Sequence, residues 1–156
     1  MKRFYCLILC LILSVSFNVT ALAADSTESS TTIEVLEDGS YIEITTETTS
    51  STTFFAATST KSGKRTWSHK SSSGSTLCSV TVNGKISYNG TSSKCTSSTI
   101  STSCPSSSWK LSNKSASKSG ATATASAVAR KYKNGSVAQT LKPSVSLTCS
   151  KTGKLY

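Results

Sequence analysis

The sequence predicts an all-β chain: a small antiparallel β-sandwich of immunoglobulin-like type, stapled by two disulfides and preceded by a signal peptide and an acidic hairpin or leader. Three observations carry that expectation. Beyond the first two dozen residues no apolar pattern of 3.6-residue period persists, whereas period-two alternation recurs. Residues 60–156 hold five to seven such stretches, divided by turns containing Gly and Ser, and no repeat of 20 to 50 residues. Four of the six cysteines lie after the apolar N-terminus, an even count of the kind that crosslinks small exported domains.

Residues 1–24 read as a signal peptide. Lys2 and Arg3 form a positive n-region, "FYCLILCLILSVSFNV" an apolar h-region, and Ala21 and Ala23 fit the small-residue cleavage pattern. The apolar run is short and the cleavage pattern follows it directly, which argues against a membrane anchor. Cys10 follows the large Leu9 inside that run, which argues against a lipoprotein. No later apolar run has the length to span a bilayer, and "SKTGKLY" is polar, so the expected localisation is secreted and extracellular.

Residues 25–59 form an acidic leader or hairpin rich in Ser and Thr. Within them "TIEVLEDGSYIEITTET" alternates apolar and polar residues around Asp38-Gly39, a hairpin dipeptide. Ile33 and Val35 precede the turn, and Tyr41, Ile42 and Ile44 follow it. A lone two-stranded hairpin is marginal in water, so this one is expected to dock or to stay largely disordered.

Residues 60–156 form the basic β-sandwich domain. In "CSVTVNGKISY" the residues Cys78, Val80, Val82, Ile86 and Tyr88 share one parity and one inward face. A two-residue hairpin at Asn83-Gly84 would oppose Val82 to Lys85 and Val80 to Ser87, so the stretch is read as one long strand, kinked or bulged at Gly84. Asn134-Gly135 passes the same test, with Tyr132 opposite Val137 and Val128 opposite Leu141. It predicts a long hairpin, 121–133 with 136–149, closed by a type I′ turn. Val145, Leu147 and Cys149 continue its inward face, and Pro143 marks an edge or bulge. "ATATASAVA" puts Ala121, Ala123, Ala125, Ala127 and Ala129 on one face, either closely covered or left to water. Shorter strands are expected at 63–70, 94–103 and 107–112, the last carrying Trp109 and Leu111.

Charge is segregated. Asp25, Glu28, Glu34, Glu37, Asp38, Glu43 and Glu47 all precede residue 48, whereas every Lys and Arg except Lys2 and Arg3 follows it. Losing the signal peptide takes the formal net charge from +10 to +8. The basic domain by itself therefore lacks the carboxylate pair of a glycosidase, the Asp of a Ser-His-Asp triad and an oxygen-rich calcium site. The four downstream cysteines are separated by 16, 8 and 44 residues with no C-x-x-C pair, and His69 is the one histidine, so neither metal nor cofactor is expected. "SSWK" (Ser107 to Lys110) and "SASK" (Ser115 to Lys118) match S-x-x-K, yet neither opens a predicted helix. The expectation is a protein that is not an enzyme.

Lys110, Lys114 and Lys118, with Arg130, Lys131 and Lys133 of "RKYK", are the candidate polyanion-binding residues. Lysine outnumbers arginine, which favours diffuse charge over bidentate phosphate recognition. The plain alternative is solubility, since alternating Lys and Ser keeps edge strands from pairing. Trp67, Trp109, Tyr88 and Tyr132 would make a stacking platform for sugars or bases if exposed. Trp109 and Tyr88 fall on inward faces, so the core is their expected place.

"SVTVNGKISYNGTSSKCTSS", "SSWKLSNKSASKSGATATASA" and "VSLTCSKTGKLY" resemble small, functionally uncharacterised exported proteins of Gram-positive, clostridial-type bacteria, and "LEDGSYIEITT" is similar to their acidic leader. The likeness covers most of residues 76–156. It implies cysteines at the positions of Cys95 and Cys149, and departs from the pattern at Cys78 and Cys104. That implies the pairing Cys95–Cys149 with Cys78–Cys104. Loops of roughly 27 and 55 residues would then contribute on the order of 3.5 and 4 kcal/mol through chain entropy.

Two arrangements fit the segregated charge. Residues 25–59 are either a removable leader that masks the basic surface until proteolysis near "FFAATSTKSGKR", or a permanent hairpin that covers a sheet edge. The reading leans slightly towards a removable or mobile leader. The expected function is a secreted, non-enzymatic binding or surface-interaction module for anionic polymers such as cell-wall or host glycans or extracellular nucleic acid. The alternative is a cationic membrane-active or antimicrobial protein.

Overall fold

A computed structural model describes residues 27–51 and 58–156. The signal peptide, residues 1–24, and the Phe54-Phe55 stretch of the expected cleavage region lie outside the described residues. Nine strands follow one another: β1 (Thr27–Val35), β2 (Tyr41–Ser51), β3 (Ser59–Lys70), β4 (Thr76–Tyr88), β5 (Ser93–Ser103), β6 (Trp109–Ser119), β7 (Thr122–Lys133), β8 (Ser136–Leu141) and β9 (Ser144–Thr148). They form two antiparallel sheets, one ordered β1-β2-β3-β4-β5, the other β6-β7-β8 with β9 also on β7. Both sheets feed one core. The immunoglobulin-like detail of the expectation is not shown: strands pair with sequence neighbours, apart from β9 on β7, and the strand order contains no Greek-key return among the described residues.

The long strand is unbroken, and Cys78, Val80, Val82 and Ile86 are buried along its inner face. Its register shifts between Lys85 and Ile86, one step beyond Gly84. Gly84 has a different task. A Cβ there would meet Ala123 Cβ and Leu147 Cδ2 at 3.1 Å, and one on Gly63, directly opposite, would meet Leu155 Cδ1 at 2.8 Å. The two glycines thus admit leucines from the facing layer. Ala123, Ala125, Ala127 and Ala129 are all buried, so the alanine face is closely covered. Small residues on both layers compensate for few large ones by letting the sheets approach. Arg65, also on the inner parity of β3, donates from Nη1 to the Ser146 carbonyl at 3.1 Å and ties the layers together.

The first hairpin forms, with a register that separates its apolar residues. Leu36 N donates to Ser40 O at 2.8 Å, and Gly39 takes φ 76°, so the loop holds three residues rather than the Asp38-Gly39 pair. Val35 then faces Tyr41 and Ile33 faces Glu43. One residue of slip reverses a face. Ile42 and Ile44 pack on the core, whereas Ile33 and Val35 point outward, 60% and 73% exposed. β2 pairs with β3 from Tyr41↔Lys70 to Ser51↔Thr60, which makes the hairpin two of the five strands of its sheet.

The second hairpin turns at Asn134 and Gly135, φ 50° and 79°, as a type I′ turn requires. Tyr132 faces Val137 as expected. A bulge at Ala138 then puts Leu141 opposite Ala129 rather than Val128, which moves Leu141 to the core face. The return strand breaks at Lys142-Pro143 into β8 and β9, and the Pro143 carbonyl accepts from Ala127 N at 3.1 Å. β6 runs to Ser119, well past the expected 107–112, because ladder bonds to β7 carry its polar second half.

Cys78 and Cys104 form a disulfide between the start of β4 and the end of β5. Cys95 and Cys149 are buried and unbonded, so the second staple is not formed here.

Candidate functional site

The six candidate basic residues occupy four places. Lys110 and Arg130 face each other in register on the outer face of the β6–β9 sheet. Lys110 Nζ sits 5.4 Å from the Tyr132 ring centroid, and Arg130 Nη1 donates to Ser112 Oγ at 2.8 Å. Lys114 is exposed in the bulge between Ser112 and Ser115, beside Asn113 with φ 51°. Lys118 lies on the opposite face, paired with Ala123, because the bulge reverses the alternation, and its Nζ donates to Thr96 O of β5 at 2.7 Å, across the seam between the sheets. Lys131 and Lys133 continue the parity of the buried alanines past the end of the core, where they meet the β1–β2 turn across a cleft.

The acidic residues explain the rest of the charge pattern. Glu47 pairs with Lys64 and Glu43 with Lys70, each at 3.0 Å. Such half-exposed pairs contribute about 0–1 kcal/mol each. Every described carboxylate side chain belongs to β1, β2 or their turn, and residues 109–148 of the second sheet contain none. The outer face bearing Lys110, Arg130 and Tyr132 is therefore cationic without local compensation.

One constellation escaped the sequence. His69, 1% exposed on β3, bonds Ser40 Oγ through Nε2 at 3.0 Å, and Ser40 Oγ in turn bonds Asp38 Oδ1. Carboxylates only accept, so Ser40 donates to Asp38 and accepts from His69 Nε2–H. That direction leaves Ser40 without a base and His69 Nδ1 without a partner. The ring packs edge-on to Trp109 at 4.8 Å and tilted to Trp67 at 6.2 Å. Burial pushes the imidazole below its ordinary value, opposed by the Asp38 charge and aided by Lys131. Asp38 is held below the carboxylate range by its two bonds from Ser40. The group is a latch that joins the exposed turn residue Asp38, through buried Ser40 and His69, to the core. Only the turn's fold-back reveals it, because 29 residues separate Ser40 from His69.

Trp67 and Trp109 are core residues, 6% and 3% exposed. Tyr88 is half-buried and packs against Gly153, so the four aromatics form no shared platform. Ser115 and Lys118 lie three apart on one strand and hence on opposite faces, which separates that S-x-x-K pair. Burial raises both free thiols above their ordinary range, which keeps Cys95 and Cys149 protonated. No metal-binding group of three or more His, Cys, Asp or Glu occurs among the described residues. Comparison with protein-family models, curated proteins and solved structures finds no match to the chain.

Proposed function

We propose that the chain is a secreted, non-enzymatic binding module for anionic polymers, related to the exported proteins it resembles. The outer face of the β6–β9 sheet is its binding surface. One observation carries this reading: Lys110 and Arg130 stand in register beside Tyr132 on a sheet whose residues 109–148 include no carboxylate. Tyr132 gives a ring for sugars or bases to rest on, and Lys110 over it concentrates positive charge. Counterion release from a linear polyanion supplies the affinity.

The test is heparin and teichoic-acid binding across salt, with K110Q/R130Q beside the parent chain. Binding should persist at 150 mM salt, where the Debye length is about 8 Å, and the double variant should lose about ten-fold. Loss of all binding at that salt, or an unaffected double variant, would leave the charge as a solubility device. Dye release from anionic vesicles would instead favour a membrane-active protein.

Cys95 and Cys149 complete the expected covalent frame in this reading. Cys95 N donates to Gly120 O at 2.7 Å and Cys149 N to Ala121 O at 3.1 Å, so both backbones are held at one turn. Before the chain folds, exchange with an extracytoplasmic disulfide oxidant, which would take up the two electrons and two protons as its own dithiol, would join the two sulfurs as the second staple.

A further inference from the structure

We propose that the cleft between the β1–β2 turn and the end of β7 binds a ligand that carries an ammonium and a carboxylate together, of the size of a short peptide. The cleft is separate from the polyanion face and has a volume of about 460 Å³. Glu37 and Asp38 line one wall, Lys131 and Lys133 the other, with Leu36 and Leu141 between them. It is the place where the acidic segment of the chain faces the basic one across open space.

Both walls are held in place. Asp38 takes its two bonds from Ser40, main-chain N at 3.1 Å and Oγ, on a single oxygen, Oδ1. Oδ2 is left without a partner among the described residues. Ser40 is anchored in turn by His69 in the core. On the other side the backbone of Lys131 is held in the ladder between Trp109 and Gln139. The bulge at Ala138 sets the β8 side of the cleft, where Gln139 adds an amide that both donates and accepts.

Opposite charges on facing walls select for a partner carrying both. No ion pair closes the gap among the described residues, since those that form join Glu43 to Lys70 and Glu47 to Lys64. A purely anionic ligand meets Glu37 and Asp38, and a purely cationic one meets Lys131 and Lys133. A zwitterion satisfies both walls, with its carboxylate on the lysines and its ammonium on Asp38 Oδ2 and Glu37. An apolar side chain on the ligand would cover Leu36 and Leu141.

The experiment is an amide chemical-shift titration of the isotope-labelled protein with glycyl-leucine, its N-acetyl derivative and its C-terminal amide. Glycyl-leucine should shift Gly39, Lys131, Lys133 and Gln139 with millimolar affinity, and each single-charge derivative should bind about ten-fold more weakly. Glu37 and Lys133 are exposed, so E37Q and K133Q should keep the fold and each weaken binding about three-fold. Equal binding of all three probes, shifts confined to other residues, or no shift at high probe concentration would overturn the assignment. None of these outcomes bears on the polyanion reading, which concerns the outer sheet face.

Discussion

His69 shows how much one side chain imposes on its surroundings. It lies between Trp67 and Trp109, where a charged imidazolium has no solvent and Nδ1 no acceptor. The charged groups facing it are Asp38 on the turn and Lys131 on β7, which act in opposite directions. The unfolded chain protonates this residue near its ordinary 6.5, while the folded chain resists protonation. Its stabilisation is therefore complete above that pH and is lost as pH falls below it. Asp38, lowered from 3.8 by its bonds from Ser40, is stabilising above that value and loses its contribution only in a more acidic range. Urea midpoints should be level from about pH 8 to 7 and fall towards pH 5.5, with the fall much reduced in H69Q. An equal slope in both proteins would assign it to other groups.

Turns decide which face each strand presents. Asp38-Gly39 correctly marks a hairpin, but a three-residue loop shifts the register by one and divides four apolar residues between two faces. The consequence is measurable. Ile42→Ser and Ile44→Ser should each cost about 1–2 kcal/mol, because these side chains pack on the core. Ile33→Ser and Val35→Ser should stay within about 0.5 kcal/mol, because both point to water. Similar costs at all four positions in chemical denaturation would indicate the two-residue loop. The same outer face explains the abundance of Ser and Thr. Thr31, Thr45, Thr66, Thr81 and Ser101 form a row in register across all five strands, with Thr66 and Thr81 hydroxyls 2.9 Å apart. Cross-strand hydroxyl pairs of this kind stabilise a sheet that faces solvent.

Over the whole molecule, charge segregation becomes a spatial division. Acid occupies one edge of the first sheet and its turn, and the second sheet is free of it. With β2 laddered to β3, and Ile42 and Ile44 on the core, the hairpin has a packing role that a discarded mask would lack. If the chain is exported as proposed, its mature form should therefore begin at residue 24 or 25, and iodoacetamide applied to the denatured protein should add no mass before reduction. A start near residue 60 would make the hairpin a removed leader. Alkylation at Cys95 and Cys149 without reduction would show that the second crosslink does not form.

The sequence by itself determined the β class, the long strand through Gly84, the second turn and the inward residues Cys78, Val80, Val82, Ile86, Val145, Leu147 and Cys149, but not whether the alanine face is covered. These rest on period-two alternation and on turn dipeptides, which act between near neighbours in the chain. The pairing of Cys78 with Cys104 came from a resemblance. Tertiary structure alone decided the one-residue shifts at Gly39 and Ala138, because either register satisfies the local alternation and only loop conformation and packing choose between them. It also decided that Lys131 and Lys133 face Glu37 and Asp38 while Lys110 and Arg130 face outward. Neighbouring residues of a strand point to opposite faces, so "RKYK" is one cluster in the sequence and is divided between two surfaces in the fold.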